Sequence, residues 1–164
     1  MTAQNYFSAE YTSAPKKQAN IKGVPYTTFK GHYFYDVSEA NANDTFVLAQ
    51  GLDGNTIVKS IIARTEALTA ATDNDIMICK HGQTSAITPA TGKSNLLVDG
   101  KTLASALAGV DILGSGLSSF DFSKSLSEIT GVENETFDLV LIVKTAGTTT
   151  DANLCFEVEY CDNL

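Results

Sequence analysis

The strongest constraint on this chain is the alternation of side chains in its last strand-like segment, LCFEVEYC. In residues 154–161 the large apolar side chains stand at even positions, and glutamates or cysteines stand at odd positions. Successive side chains of a β-strand point to opposite faces, whereas a helix repeats every 3.6 residues. The segment therefore predicts a strand with one face in a core and the other in water.

Similar segments recur from Gly31 onward. HYFYDV, TFVLAQ and TFDLVLIVKT resemble strands, and SSFDFSKSL alternates around Phe120 and Phe122. NTIVKSIIART and DIMICK are apolar at nearly every position, which predicts burial on both faces. Asp53-Gly54 is a hairpin signal, and Asp99-Gly100 is a second turn signal. About eight antiparallel strands with turns rich in Gly, Asn, Asp and Thr predict an all-β fold, a β-sandwich or jelly roll.

One segment permits two interpretations. In TLASALAGVDIL, residues 102–113, the apolar side chains Leu103, Ala106, Leu107 and Val110 have helical spacing. Gly109 would cost a helix about 1 kcal/mol relative to Ala. We predict either one short helix or a loosely wound strand here, and at most one short helix in the whole chain.

The chain divides by pattern into an arm and a body. Its 164 residues suit one folding unit. Residues 1–30 lack sustained periodicity and are predicted to form an extended N-terminal arm, whereas residues 31–164 form the sandwich. The arm contains the candidate partner-binding residues Tyr6, Phe7, Tyr11, Lys16 and Lys17. Three aromatic side chains are costly to leave in water, so they pack either on the chain's own body or on a neighbouring protein.

Charge and cysteine usage exclude several classes of function. Residues 1–31 have four lysines and one glutamate, a net charge of +3, so the remainder holds −11 of the total of −8. An acidic body argues against a nucleic-acid partner. No apolar segment approaches the ~20 residues of a membrane span, and the first 18 residues lack the apolar region expected of a signal peptide. Three cysteines without a close pair predict free thiols and synthesis in a reducing cytoplasm.

Residues with catalytic potential are few, and each has a simpler structural interpretation. His81 lies on the same predicted strand face as Cys79, but Cys79 belongs to a buried strand, where a thiol is usually inert. Asp73-Asn74-Asp75 resembles the start of a calcium loop without its later glycine and glutamate. Glu157 and Glu159, two apart on a wet strand, are typical of a solvated face rather than of a glycosidase pair. We therefore predict no catalytic residue, no cofactor and no metal.

From Asn43 to the C-terminus, the order of segments resembles the small capsid decoration (cement) proteins of tailed bacteriophages. The resemblance lies in NDTFVLAQGLDGNTIVKSIIART, then EALTAATDNDIMICKHG, then SNLLVDGKTLASALAGVDIL, and finally TFDLVLIVKTAGTTTDANLCFEVEY. It implies a jelly-roll or β-sandwich protein without catalytic residues that attaches to the outside of a capsid and stabilises it, often as a trimer.

The leading hypothesis is thus a non-enzymatic virion structural protein on the capsid exterior. Its expected partners are the major capsid protein, further copies of itself with a trimer favoured, and a head-fibre or other minor capsid protein. The alternative hypothesis is a carbohydrate- or receptor-binding β-sandwich module of a phage fibre or lectin-like protein. Sugar binding would favour that alternative, whereas the lack of Trp argues against it.

Overall fold

The computed structural model describes residues 5–6, 28–37, 39–147 and 151–162. This part of the chain contains nine strands and one short helix. In chain order the elements are β1 (Asn5–Tyr6), β2 (Thr28–Val37), β3 (Thr45–Asp53), β4 (Thr56–Thr65), β5 (Asn74–Lys80), β6 (Leu96–Val98), β7 (Leu107–Asp111), α1 (Leu126–Thr130), β8 (Thr136–Val143) and β9 (Ala152–Asp162).

The strands form two sheets, ordered β1-β3-β8-β5-β6 and β2-β9-β4-β7. Among the described strands, β1 pairs in parallel with β3, and every other pair of neighbours is antiparallel. Counted from β2, the two sheets have the orders 2-7-4-5 and 1-8-3-6. This is the double-sheet arrangement of an eight-stranded jelly roll. The predicted all-β sandwich is confirmed, and the residues that the structure describes contain one short helix.

The main core lies between the two sheets and is filled mostly by alternate strand residues. On β9, Leu154, Phe156 and Val158 are fully buried, as the alternation predicts. Phe46 of β3 and Phe137 of β8 are also fully buried. All these residues belong to one connected cluster. The burial of apolar side chains between the two sheets is therefore the chief source of stability. The alternation in the sequence predicted which side chains of β9 point into this core.

A second, smaller apolar cluster lies on the other face of the five-stranded sheet. It consists of Val47, Met77, Cys79 and Val140, with Ala86, Leu96 and Ile142 packed against it. The loop after β5 folds back over this face, where Cys79 and Ala86 form an isolated bridge and Ile87 donates to the Ile78 carbonyl. This cover explains why β5 is buried on both faces, as predicted.

The predicted strand at residues 118–126 is wrong. Phe122 is 53% exposed, and Phe120 meets it edge to face. Asp121 accepts hydrogen bonds from both the amide and the hydroxyl of Ser123, a local turn that competes with strand pairing. Helix α1 then starts at Leu126 with a capping box, in which Ser125 accepts from the Glu128 amide and Glu128 accepts from the Ser125 amide.

Three further expectations need correction. The Asp53-Gly54 turn joins β3 to β4, which lie in different sheets, so no hairpin forms. Strand β4 is buried on one face only, because Lys59 and Arg64 reach solvent from the outer face of its sheet. Cys161 was placed on the wet face of β9, but it is buried beside Ile57, its register partner on β4.

Residues 102–113 adopt the strand alternative, since they contain β7 and no helix. Gly109 has φ +78 and lies at a register shift between β4 and β7. A glycine in this left-handed conformation suits a bulge and explains the loose winding.

Candidate functional site

The outer face of the four-stranded sheet is the candidate interaction surface, and we call it the outer sheet face. It is formed by the side chains that point away from the core on strands β2, β9 and β4. Its members are Lys30, His32, Phe34, Asp36, Ile62, Arg64, Cys155, Glu157 and Glu159. Strand alternation alone produces this face, because the intervening residues fill the core.

Charged side chains converge on Glu157 at the centre of this face. The Lys30 Nζ lies 3.3 Å from one carboxylate oxygen of Glu157 and 2.9 Å from Glu159. His32 Nδ1 and an Arg64 guanidinium nitrogen lie 3.7 Å and 4.0 Å from the other Glu157 oxygen. Donating hydrogen bonds to the carboxylates of Glu159 and Glu157 raises the pKa of Lys30. The two glutamates therefore act as ion-pair partners, as expected of a solvated face.

Phe34 stands out on the same face, because its side chain is 56% exposed. Its register partner on β9 is Cys155, and Arg64 is the next residue across the sheet on β4. An exposed aromatic ring among charged side chains is a common composition for a protein interface. Sequence reasoning did not single out Phe34. The available signal was a large apolar side chain at a polar position of an alternating strand.

Cys79, His81 and Asp138 come together on the other sheet. The Asp138 carboxylate is fully buried and accepts hydrogen bonds from the Gly51 and Gly82 amides at 2.9 and 2.7 Å. The His81 Nδ1 lies 2.9 Å from the same carboxylate. Cys79 is the register partner of Asp138 on β5. The three residues therefore have the composition of a catalytic Cys-His-Asp triad.

The Cys79 thiol is nevertheless unsuited to nucleophilic chemistry. Burial raises its pKa to about 12, and the negative charge of Asp138 adds to the rise. An activated cysteine needs the opposite shift, since the thiolate is the reactive form. Asp138 instead joins the β3 bend, the loop after β5 and strand β8. Its role in this geometry is structural, and the sequence interpretation of Cys79 as a core residue is confirmed.

In the Asp73-Asn74-Asp75 segment, which resembles the start of a calcium loop, both aspartates form ion pairs with a lysine. Lys144 Nζ lies 3.3 Å from Asp73 and 3.2 Å from Asp75, and the Gly100 amide donates to the other Asp75 oxygen. The hydrogen bond that Lys144 donates to the Asp75 carboxylate raises the pKa of Lys144. Within the described ranges, no three His, Cys, Asp or Glu side chains are grouped so that they could hold a metal ion.

A groove of about 480 Å³ lies between the loop before β6, the segment preceding α1 and α1 itself. Phe120, Ser118 and Ser119 contribute to its lining, together with Asp121 and Glu128. Both carboxylates already have intramolecular partners, Ser123 for the first and Ser125 for the second. Two lysines also line the groove, but Lys93 donates to the Glu128 carbonyl and Lys124 lies 3.8 Å from the Asp121 carboxylate.

The arm residues singled out by the sequence are only partly described. The backbone of Tyr6 pairs in parallel with Phe46 as part of β1, at the edge of the five-stranded sheet. The other four candidates, Phe7, Tyr11, Lys16 and Lys17, lie outside the described residues. Their proposed contacts, and the division at residue 30, stay predictions. Separately, none of the described helical residues forms a helix long and apolar enough to cross a bilayer.

Comparisons with known proteins find similarity in structure alone. No protein-family model matches the sequence, and no curated protein matches it significantly. A chain in a structure titled "Capsid of Ralstonia phage GP4" aligns with a TM-score of 0.57 at 14% identity, covering 98% of this chain and 99% of that one. A chain of the "Cyanophage Pam1 capsid asymmetric unit" aligns at 14% identity over 91% and 94%, with a TM-score of 0.41. The first likeness shows a shared fold from end to end.

Proposed function

We propose that this protein is a non-enzymatic structural component of a bacteriophage virion, which binds the outer surface of the capsid and stabilises it. The observation that carries the proposal is the end-to-end fold likeness to a chain in the Ralstonia phage GP4 capsid structure, in which almost all of both chains aligns. The resemblance of segment order to capsid decoration proteins points in the same direction.

The surface chemistry supports a binding role. The outer sheet face combines an exposed phenylalanine with paired charges, and aromatic side chains contribute contact area at low entropic cost. The chain as a whole is acidic, with a net charge of −8, while its first 31 residues hold four lysines and one glutamate. Opposite charges on arm and body suit an arm that reaches an acidic neighbour, while the body remains exposed at the capsid surface.

Binding to capsids lacking this protein tests the proposal directly. The purified protein is mixed with such capsids, and co-sedimentation together with the capsid's thermal disruption temperature is measured. Binding with a raised disruption temperature is expected, because a ligand specific to the assembled shell stabilises it by mass action. Failure to bind the shell, or saturable binding to a glycan instead, would exclude the proposal and favour the carbohydrate-binding alternative.

The role of the arm is tested by deletion. Because β2 begins at Thr28, the truncation removes residues 1–27 and leaves that strand complete. The matched control replaces Lys16 and Lys17 by Gln within the full-length chain. If the arm anchors the protein, truncation weakens capsid binding strongly, and the double substitution weakens it less and mainly at low salt. Unchanged affinity of the truncated protein would show that the body alone binds.

A further inference from the structure

The two sheets formed by the described residues have four edges, and three of these edges are short, bulged or covered. Strand β6 is only three residues long, and β7 is five residues long with its glycine bulge. Strand β3 has β1 at its start and two register shifts against β8. Short, bulged or covered edges are the usual protection against pairing with another chain.

Strand β2 differs from these three edges. It has ten residues, and its register against β9 is continuous from Thr28 to Val37 without a bulge. It also bears the exposed Phe34 near its middle. A long, regular edge strand with an exposed apolar side chain is a template for intermolecular pairing unless a partner covers it.

Backbone alternation identifies which backbone groups of β2 face away from β9. The Glu66 amide donates to the Asn153 carbonyl, so the backbone of Asn153 faces β4. Because backbone groups of a strand alternate in direction, even-numbered residues of β9 face β2. Their partners on β2 are the odd-numbered residues, such as Tyr33 opposite Phe156. The even-numbered residues of β2 therefore direct their amides and carbonyls outward.

These outward residues are Lys30, His32, Phe34 and Asp36. Within the described ranges, none of their backbone groups takes part in a hydrogen bond beyond the sheet. Lys30 is basic and Asp36 is acidic, and the two stand at equal distances in sequence on either side of Tyr33. The charges of this strand are therefore complementary to those of a second, antiparallel copy of the same strand.

We propose that β2 pairs antiparallel with β2 of a second copy of this chain, around a two-fold axis at Tyr33. In this register Lys30 lies opposite Asp36 of the partner subunit, and Asp36 lies opposite the partner subunit's Lys30. Phe34 lies opposite the partner subunit's His32. The four outward residues form hydrogen-bonded pairs, about eight backbone bonds in all. The two four-stranded sheets become one continuous sheet.

The charge pattern selects this register over its neighbours. A shift by two residues in one direction places Phe34 opposite its own symmetry mate, and Lys30 no longer lies opposite the partner subunit's Asp36. A shift in the other direction places Lys30 opposite Phe34. Only the Tyr33-centred register matches both charges, and opposite charges directly across a strand pair stabilise it. The self-complementary pattern is also the reason to expect a second copy as occupant rather than a strand of another protein.

The test is the mass of the purified full-length protein in solution, measured by light scattering after size exclusion and by analytical ultracentrifugation over a range of concentrations. We expect a reversible dimer. Phe34→Pro removes an outward amide, so pairing with β9 keeps its hydrogen bonds while pairing with a second copy is interrupted. This variant should be monomeric. Phe34→Leu, which keeps the amide and an apolar side chain, should remain dimeric.

Register is tested separately by cross-linking in a Cys155→Ser background. The double variant Lys30→Cys, Asp36→Cys should form a disulfide-linked dimer on mild oxidation, since Cα atoms of a hydrogen-bonded pair lie about 5.5 Å apart. Lys30→Cys alone is the control and should not cross-link. This design remains informative if Phe34→Pro fails to fold.

A monomer at all concentrations, a trimer, or a dimer unaffected by Phe34→Pro would overturn the proposal. A monomer whose β2 edge is protected from hydrogen exchange only on capsids would assign that edge to a capsid strand instead, and so also overturns it. These measurements use the free protein. The pairing can therefore fail while capsid binding holds, and the reverse is equally possible.

Discussion

At the scale of single residues, burial decides the chemistry of the cysteines. Cys79 and Cys161 are buried, whereas Cys155 is half-exposed on the outer sheet face. For Cys79, desolvation and the adjacent Asp138 charge raise the thiol pKa to about 12. The thiolate is the nucleophile in alkylation, so a high pKa and lack of access act in the same direction.

We therefore expect selective alkylation at Cys155. Treatment of the native protein with iodoacetamide at mildly alkaline pH, followed by peptide mass mapping, should label Cys155 first. Cys79 should stay unlabelled until denaturant is added, and unfolded protein provides the control in which all three thiols react. Labelling of Cys79 in the native protein at a rate similar to that of Cys155 would contradict its burial.

At the scale of elements, α1 shows how a short helix depends on its ends. It has only five residues, so few internal hydrogen bonds support it. Reciprocal bonds between Ser125 and Glu128 close its first turn, and Gly131, in the left-handed conformation, ends it. Hydrogen bonds from Ser125 lower the pKa of Glu128. The fully buried Leu126 attaches the helix to the core.

Ser125→Ala should destabilise the protein by about 1 kcal/mol, because the Glu128 amide loses its capping oxygen. The measurement is the free energy of unfolding from denaturant titration. Ser119→Ala is the matched control, since Ser119 is exposed in the segment before the helix, and it should have little effect. Equal effects of the two substitutions would mean that the capping box contributes nothing to stability.

At the scale of the whole molecule, stability depends on the closure of two sheets over one core. Val158 on β9 is fully buried between the sheets, whereas Val110 on the edge strand β7 is 42% exposed. The two valines therefore allow the same substitution to be compared inside the core and on the surface. Removing two methyl groups from a packed interior costs both the transfer free energy and the cavity that remains.

Val158→Ala should lower the free energy of unfolding by about 2 kcal/mol, and Val110→Ala should change it by less than about 0.5 kcal/mol. Denaturant unfolding followed by circular dichroism measures both. The slopes of the transitions should match that of the unmodified protein, which shows that the native state is retained. A cost at Val110 as large as that at Val158 would be inconsistent with the sandwich.

Local pattern predicted much of this architecture before any tertiary contact was known. The alternation in residues 154–161 predicted strand β9 and its buried face, because side-chain direction in a strand is a local property. The continuous apolar character of DIMICK predicted β5 and its burial on both sides. The S-x-x-E signal at Ser125 and Glu128 was also present in the sequence. It was masked by the apparent alternation of Phe120 and Phe122.

Tertiary structure decided everything that depends on which segments meet. Sheet order, the placement of β3 and β4 in opposite sheets, and the position of β2 at the end of the described four-stranded sheet have no local signal. Asp138 looked like one more polar position of an alternating strand, yet β3 and the loop after β5 both converge on it and make it a buried acceptor. Burial and hydrogen bonding depend on distant neighbours, whereas strand direction depends on adjacent residues. For this reason the fold class could be predicted from the sequence, whereas the exposure of Phe34 and the position of β2 at the end of its sheet could not.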